Sequence, residues 1–220
     1  MIFLENAAVW TMAGRDYERG CILIDGGKIA AVGEGLTPPA GAERIDLGGR
    51  IVMPGMIDAH CHIGVFGEGT GFYLLDGNEN TDPATPHIRG LDAVNPQDMA
   101  FAEALEGGVT TVCTGPGSTN VIGGTFAILK TYGQSADEMA LVPDAALKVA
   151  LGENPKRVYG AMKKTPYTRM GNAAVLREAL VRAQEYQRRL DAAARGEGEV
   201  FLDLHICGRA HHGVLEHAAD

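Results

Sequence analysis

Ile51-Val-Met-Pro-Gly-Met-Ile-Asp-Ala-His-Cys-His-Ile-Gly64 is the stretch on which the reading of the fold turns. An apolar, β-branched lead-in, the break at Pro54-Gly55 and a second apolar run read as two extended segments joined by a turn. The second segment ends at His60 and His62. Side chains two apart on a strand share a face, so both imidazoles project together with Asp58, and Cys61 takes the opposite face. Two neutral imidazoles on one rigid element can hold one divalent metal ion. A bare His-x-His is equally compatible with a strand carrying two incidental histidines, so its surroundings have to decide.

The 220 residues suffice for one ordinary domain, or for a small domain and part of a larger one. A hydrophobic share of 45% and a charged share of 21% are those of a globular protein with a buried core. The formal net charge of −9 and the lack of clustered Lys and Arg argue against a nucleic-acid surface. Met1-Ile-Phe-Leu-Glu5 has no basic segment leading into an apolar core and cleavage site, and no apolar run approaches a bilayer span. The expectation is therefore a cytoplasmic protein with no membrane partner. Cys21, Cys61, Cys113 and Cys207 are scattered without a Cys-x-x-Cys pair, which fits reduced thiols better than a disulfide framework or a structural zinc site.

Upstream of the opening stretch, Phe3 to Trp10 reads as a strand, and Cys21 to Ile24, the Asp25-Gly26-Gly27 turn and Lys28 to Val32 read as a hairpin. Residues 1–52 are expected to form a small β-sandwich module with a structural role, because its polar candidates lie in turns. Residues 53–220 form the second region, whose tail from about residue 196 is hard to assign. Gly64 to Pro86 is a long Gly-rich polar loop, either a lid or substrate loop or a merely solvated one. Asn95-Pro96 reads as the cap and first position of a helix stopped at Gly107-Gly108, followed by a buried strand over Val109 to Thr114 and a tight loop over Gly115 to Gly124. Thr125 to Lys130 is compatible with helix or strand. Ala145 to Leu151 reads as a further strand, and Asn172 to Arg195 as an amphipathic helix with Val175, Leu176, Ala179, Leu180, Ala183, Tyr186, Gln187 and Leu190 inward. This alternation predicts a parallel α/β arrangement.

The β-rich start, the text Val52-Met-Pro-Gly-Met-Ile-Asp-Ala-His-Cys-His62 and the α/β alternation resemble the metal-dependent amidohydrolase superfamily. Gly115 to Gly124 and Gly152-Glu-Asn-Pro-Lys-Arg157 resemble the imidazolonepropionase-related amidohydrolases within it. The resemblance implies an α/β fold, a (β/α)8 TIM-type barrel preceded by the small β-rich module, with His-x-His at the C-terminal end of the first barrel strand. It also implies that His60 and His62 bind a divalent metal, commonly zinc, as one ion or two. A further ligand in such enzymes is a carboxylated lysine or a glutamate from a later strand; Glu153, after the Leu147 to Leu151 strand, is the choice here, with Lys156 as runner-up. The implied chemistry is metal-assisted hydrolysis of a non-peptide or cyclic amide in a small-molecule substrate, with a carboxylate moving the proton to the leaving nitrogen. In the family that carboxylate is an aspartate on the eighth strand, and no residue of this sequence is matched to it.

A complete barrel takes roughly 250 residues, more than this whole chain, so the barrel is expected to be incomplete. His205, His211, His212 and His217 do not align with the histidines the family carries on later strands, and the tail reads either as out-of-frame translation or as the start of a truncation. Two functions follow. One is an amidohydrolase whose activity requires more than this chain; the other is an inactive metal-binding or association module. An open sheet edge would favour homo-oligomerisation or poor solubility.

Overall fold

The computed structural model describes residues 1–68, 71 and 75–198. The chain divides into two units, Met1–Gly55 and Met56–Asp220.

The first unit is one five-stranded sheet: β1 (Ile2–Val9), β2 (Tyr17–Asp25), β3 (Lys28–Gly33), β4 (Glu43–Asp46) and β5 (Ile51–Val52). The order is β3-β2-β1-β4, with β5 also paired to β1. β2 lies antiparallel to β1 and β3, whereas β4 and β5 run parallel to β1. Gly26 and Gly27, at φ +55° and +74°, close the β2–β3 hairpin; such a two-residue turn needs positive φ at both positions. Ala7, Val9 and Ile22 form its buried centre, with Leu4, Tyr17, Ile24, Val32, Leu47 and Val52 packed around them.

The second unit begins at β6 (Met56–Cys61), followed by a 3-10 turn at Gly90–Ala93, α1 (Met99–Glu106) and β7 (Val109–Thr114). β8 (Ile122–Lys130), α2 (Ala136–Met139), β9 (Ala140–Val149), α3 (Glu153–Ala161) and α4 (Arg169–Ala194) complete it. The helix expected from Asn95 starts later. Asn95 Oδ1 accepts from Gln97 N in a turn, and Asp98 caps α1 by accepting from Ala100 N.

The sheet order is β6-β7-β8-β9. β6 and β7 are parallel and joined through α1, as the alternation predicts. β8, however, is antiparallel to both β7 and β9. The physical reason is the link over residues 115–121: a parallel return needs a crossover of about a dozen residues or more, so a short loop brings the next strand back reversed. Thr125 to Lys130 is thereby settled as strand.

One face of this sheet carries the hydrophobic core of Val65, Leu91, Val94, Phe101, Val112, Ala127, Leu129 and Met139. Cys61 and Ile63 pack against it, which turns the even-numbered side chains at the end of β6 to the other face. The segment before the 3-10 turn lies against β8 through Thr85 N to Ile122 O (2.8 Å) and Thr125 N to Ile88 O (2.9 Å). Gly124, at φ +101°, permits that approach, since a Cβ there would fall 2.3 Å from Ile88 O. α4 starts at a Thr168 cap that accepts from Gly171 N, and its Ala183 and Tyr186 are buried. Leu180, expected inward, is 42% exposed. Among the described residues no helix is long and apolar enough to cross a membrane.

Candidate metal centre

His60 is the penultimate residue of β6, and His62 follows the strand directly. Their ring centroids lie 5.4 Å apart, nearly perpendicular at 79°. His60 N donates to Asp58 Oδ1 (3.1 Å), which ties the strand end to the carboxylate expected on the same side. His62 Nδ1 lies 2.8 Å from the carbonyl oxygen of Gly115. A carbonyl only accepts, so Nδ1 carries the proton, and in the neutral ring Nε2 is the nitrogen with the lone pair. That is the tautomer a metal-holding imidazole needs, and it is imposed by the loop after β7.

The third member comes from β9. Lys148 Nζ lies 3.4 Å from His60 Nε2, and the lysine is 9% exposed. Burial pulls its pKa below the usual lysine value. Opposite Lys148 on β8 is Gly124, and a Cβ on the adjacent Gly123 would lie 3.4 Å from the lysine's Cγ. Phe126 packs beside all three groups: its ring is 5.3 Å from His60, 6.2 Å from His62 and 5.4 Å from the Lys148 ammonium. Phe66, from the Gly64 to Pro86 loop, lies edge-on to His62 at 5.4 Å. That loop is fastened to the one after β7 by Gly117 N to Gly77 O (2.7 Å), Thr119 Oγ1 to Asn78 Oδ1 (2.8 Å) and Asn120 Nδ2 to the Glu79 carbonyl (2.6 Å).

Glu153 does not join the pair. Among the described residues no three His, Cys, Asp or Glu side chains converge on a common point. Glu153 is instead the first residue of α3, with its side chain 82% exposed and bonded to Lys156 Nζ at 2.8 and 2.9 Å. Those bonds lower the Glu153 pKa and occupy Lys156 as well. The strand expected to run to Leu151 stops at Val149, and Gly152 caps a helix; the carboxylate directly after the cap belongs to that helix, not to the strand end. Lys148 went unweighed at the level of sequence, although a lone cation within the apolar run Ala145 to Leu151 is a signal of a buried charge. His205, His211, His212, His217 and Cys207 lie outside the described residues. Cys61 and Cys113 are free thiols whose pKa values burial raises, which makes them poor nucleophiles.

The chain matches no family model. A solved amidohydrolase from Thermotoga maritima MSB8 is 43% identical, with a TM-score of 0.91 over 98% of this chain and 56% of that one. The amidohydrolase tasK of Hapsidospora irregularis is 35% identical over 90% of this chain and 23% of its own length. A 5-methylthioadenosine/S-adenosylhomocysteine deaminase of Symbiobacterium thermophilum is 33% identical over half of this chain and 27% of its own. The chain thus spans about a quarter of the length of these curated relatives and just over half of the solved one. By this likeness along nearly its whole length, the chain belongs with the amidohydrolases.

Proposed function

We propose that His60, His62 and Lys148 hold a divalent metal, zinc in the first instance, in a site for hydrolysing a carbon–nitrogen bond of a small non-peptide or cyclic amide. What carries this reading is the approach of the Lys148 amine to His60 Nε2 at 3.4 Å, beside His62, whose Nδ1 is engaged by Gly115 O. Burial disfavours the ammonium form of Lys148 and draws it toward the neutral amine. A neutral amine can add carbon dioxide, forming an N–C bond and releasing one proton to give a carbamate. The anionic oxygens of that carbamate would supply the carboxylate that Glu153 does not. The bound metal would activate water and polarise the substrate carbonyl.

In this reading Gly115 O fixes the His62 tautomer, and Phe126 packs edge-on against His60 and Phe66 against His62, while His60 itself stays exposed. The unit from Met56 onward is read as the opening part of a TIM-type barrel, with β6, β7 and β9 as its co-directional strands and β8 as an interposed one. The unit before it is read as a supporting β module, and the whole as cytoplasmic. A second reading, metal binding without turnover, rests on the lack, among the described residues, of a third His, Cys, Asp or Glu converging with His60 and His62.

The test is metal analysis of the purified chain with and without bicarbonate, alongside hydrolysis assays on N-acyl amino acids and cyclic amides. We expect close to stoichiometric zinc, cut at least tenfold in H60A, H62A and K148A. Zinc with no turnover selects the second reading; unchanged zinc in K148A overturns the assignment of the lysine.

A further inference from the structure

We propose that Phe126 is the positioning residue of this centre, and that Gly115 lacks a side chain so that the Phe126 ring can reach across β7 to the histidines. Phe126 is 5% exposed, yet it is not part of the hydrophobic cluster between the sheet and its helices. Its ring neighbours are instead His60, His62 and the Lys148 ammonium. A buried phenyl ring surrounded by nitrogen-bearing side chains is not accounted for by core packing.

The sheet register explains how one ring meets all three. Phe126 pairs with Ala146 and Gly124 with Lys148, so Phe126 and Lys148 are diagonal neighbours on one face of the β8–β9 pair. Toward β6 the ring has to pass over β7, and the position at the end of β7 on this face is Gly115. A Cβ on Gly115 would lie 2.8 Å from Phe126 Cγ and 2.9 Å from its Cα and Cδ2. Any side chain there would displace the ring from the imidazoles. The same glycine offers the carbonyl that accepts from His62 Nδ1, so one backbone position seats both the ring and the tautomer.

Hydrocarbon suits this role. A polar side chain in the same place would bond to the Nε2 lone pairs and compete with a metal. A phenyl ring packed edge-to-face, at 80° to His60 and 5.3 Å from it, restricts ring rotation and takes no lone pair.

The metal arm of the test rests on the reading of the site proposed above; the rotamer arm does not. The variant F126L keeps an apolar side chain of similar size, and G115A displaces the ring from the β7 side. With isotope-labelled full chain and no metal, three-bond side-chain couplings should give one fixed rotamer for His60 and averaged rotamers in both variants. Zinc affinity by chelator competition should fall about 10- to 100-fold in both, with thermal unfolding still cooperative. A fixed His60 rotamer together with unaltered zinc affinity in F126L would overturn the proposal. Should the unsubstituted chain bind no zinc, the metal reading fails and the rotamer result alone decides on Phe126. Should F126L not fold, G115A gives the same two readouts.

Discussion

Tyr159 is fully buried on α3, and its hydroxyl donates to the carbonyl oxygen of Asp82 at 2.8 Å. Burial, with Asp82 and then Glu79 adding to it, raises its pKa from 10.0 to about 12. The phenol is therefore easier to ionise unfolded than folded. Its contribution to stability is whole below pH 10 and is lost as pH rises through 12. Chemical denaturation followed from pH 9 to 12 should show this alkaline loss in the parent chain and a smaller one in Y159F; equal slopes would show that another group is responsible. The same desolvation acts on Lys148 with the opposite shift and the same effect on charge: its pKa falls, and the lysine moves toward the neutral form that a nucleophilic or metal-facing amine requires. Glu153 shows the converse. An exposed acid with a cation one helical turn away stays ionised and paired, however suggestive its place after a strand.

At the scale of elements, β8 decides the arrangement. Its Ala127 and Leu129 face the core, Phe126 faces the candidate centre, and Gly124 admits the backbone of residues 84–89. Leu129→Ala should cost about 2–5 kcal/mol, the range for deleting a fully buried leucine side chain. Gly124→Ala meets both a positive φ and a carbonyl oxygen at 2.3 Å, and should cost on the order of 1–3 kcal/mol. Urea denaturation measures both, and a loss below about 0.5 kcal/mol in either would mean that the strand tolerates what its packing forbids. Much at this level was legible beforehand. Strand, helix and strand from β6 to β7 follow from periodicity and the glycine stop, and the long amphipathic helix was visible in its apolar stripe. The direction of β8 was legible only in part. The Gly115 to Gly124 loop is too short for a crossover, but Thr125 to Lys130 alone does not distinguish helix from strand, because its apolar residues fit both periods.

At the scale of the whole molecule, ligand binding and stability are linked, so the proposed centre has a global readout. Zinc at 100 times its Kd should stabilise the folded chain by about 2.7 kcal/mol, and the melting temperature should rise with zinc in the parent but not in H60A/H62A. A rise that persists in the double variant would place the binding elsewhere. The sequence by itself determined the strand ending in His60 and His62, the single face the two share, and the family whose chemistry that text carries. These are local properties: side-chain alternation depends on adjacent residues, and a motif is contiguous. Only the tertiary structure brings the third member of the proposed centre to the pair. Lys148 stands 88 residues from His60 in sequence and meets it because an antiparallel strand sets β9 two places from β7. Glu153 lost that place for an equally nonlocal reason: the sheet ends at Val149, and beyond it a carboxylate at the start of a helix faces solvent and its own lysine.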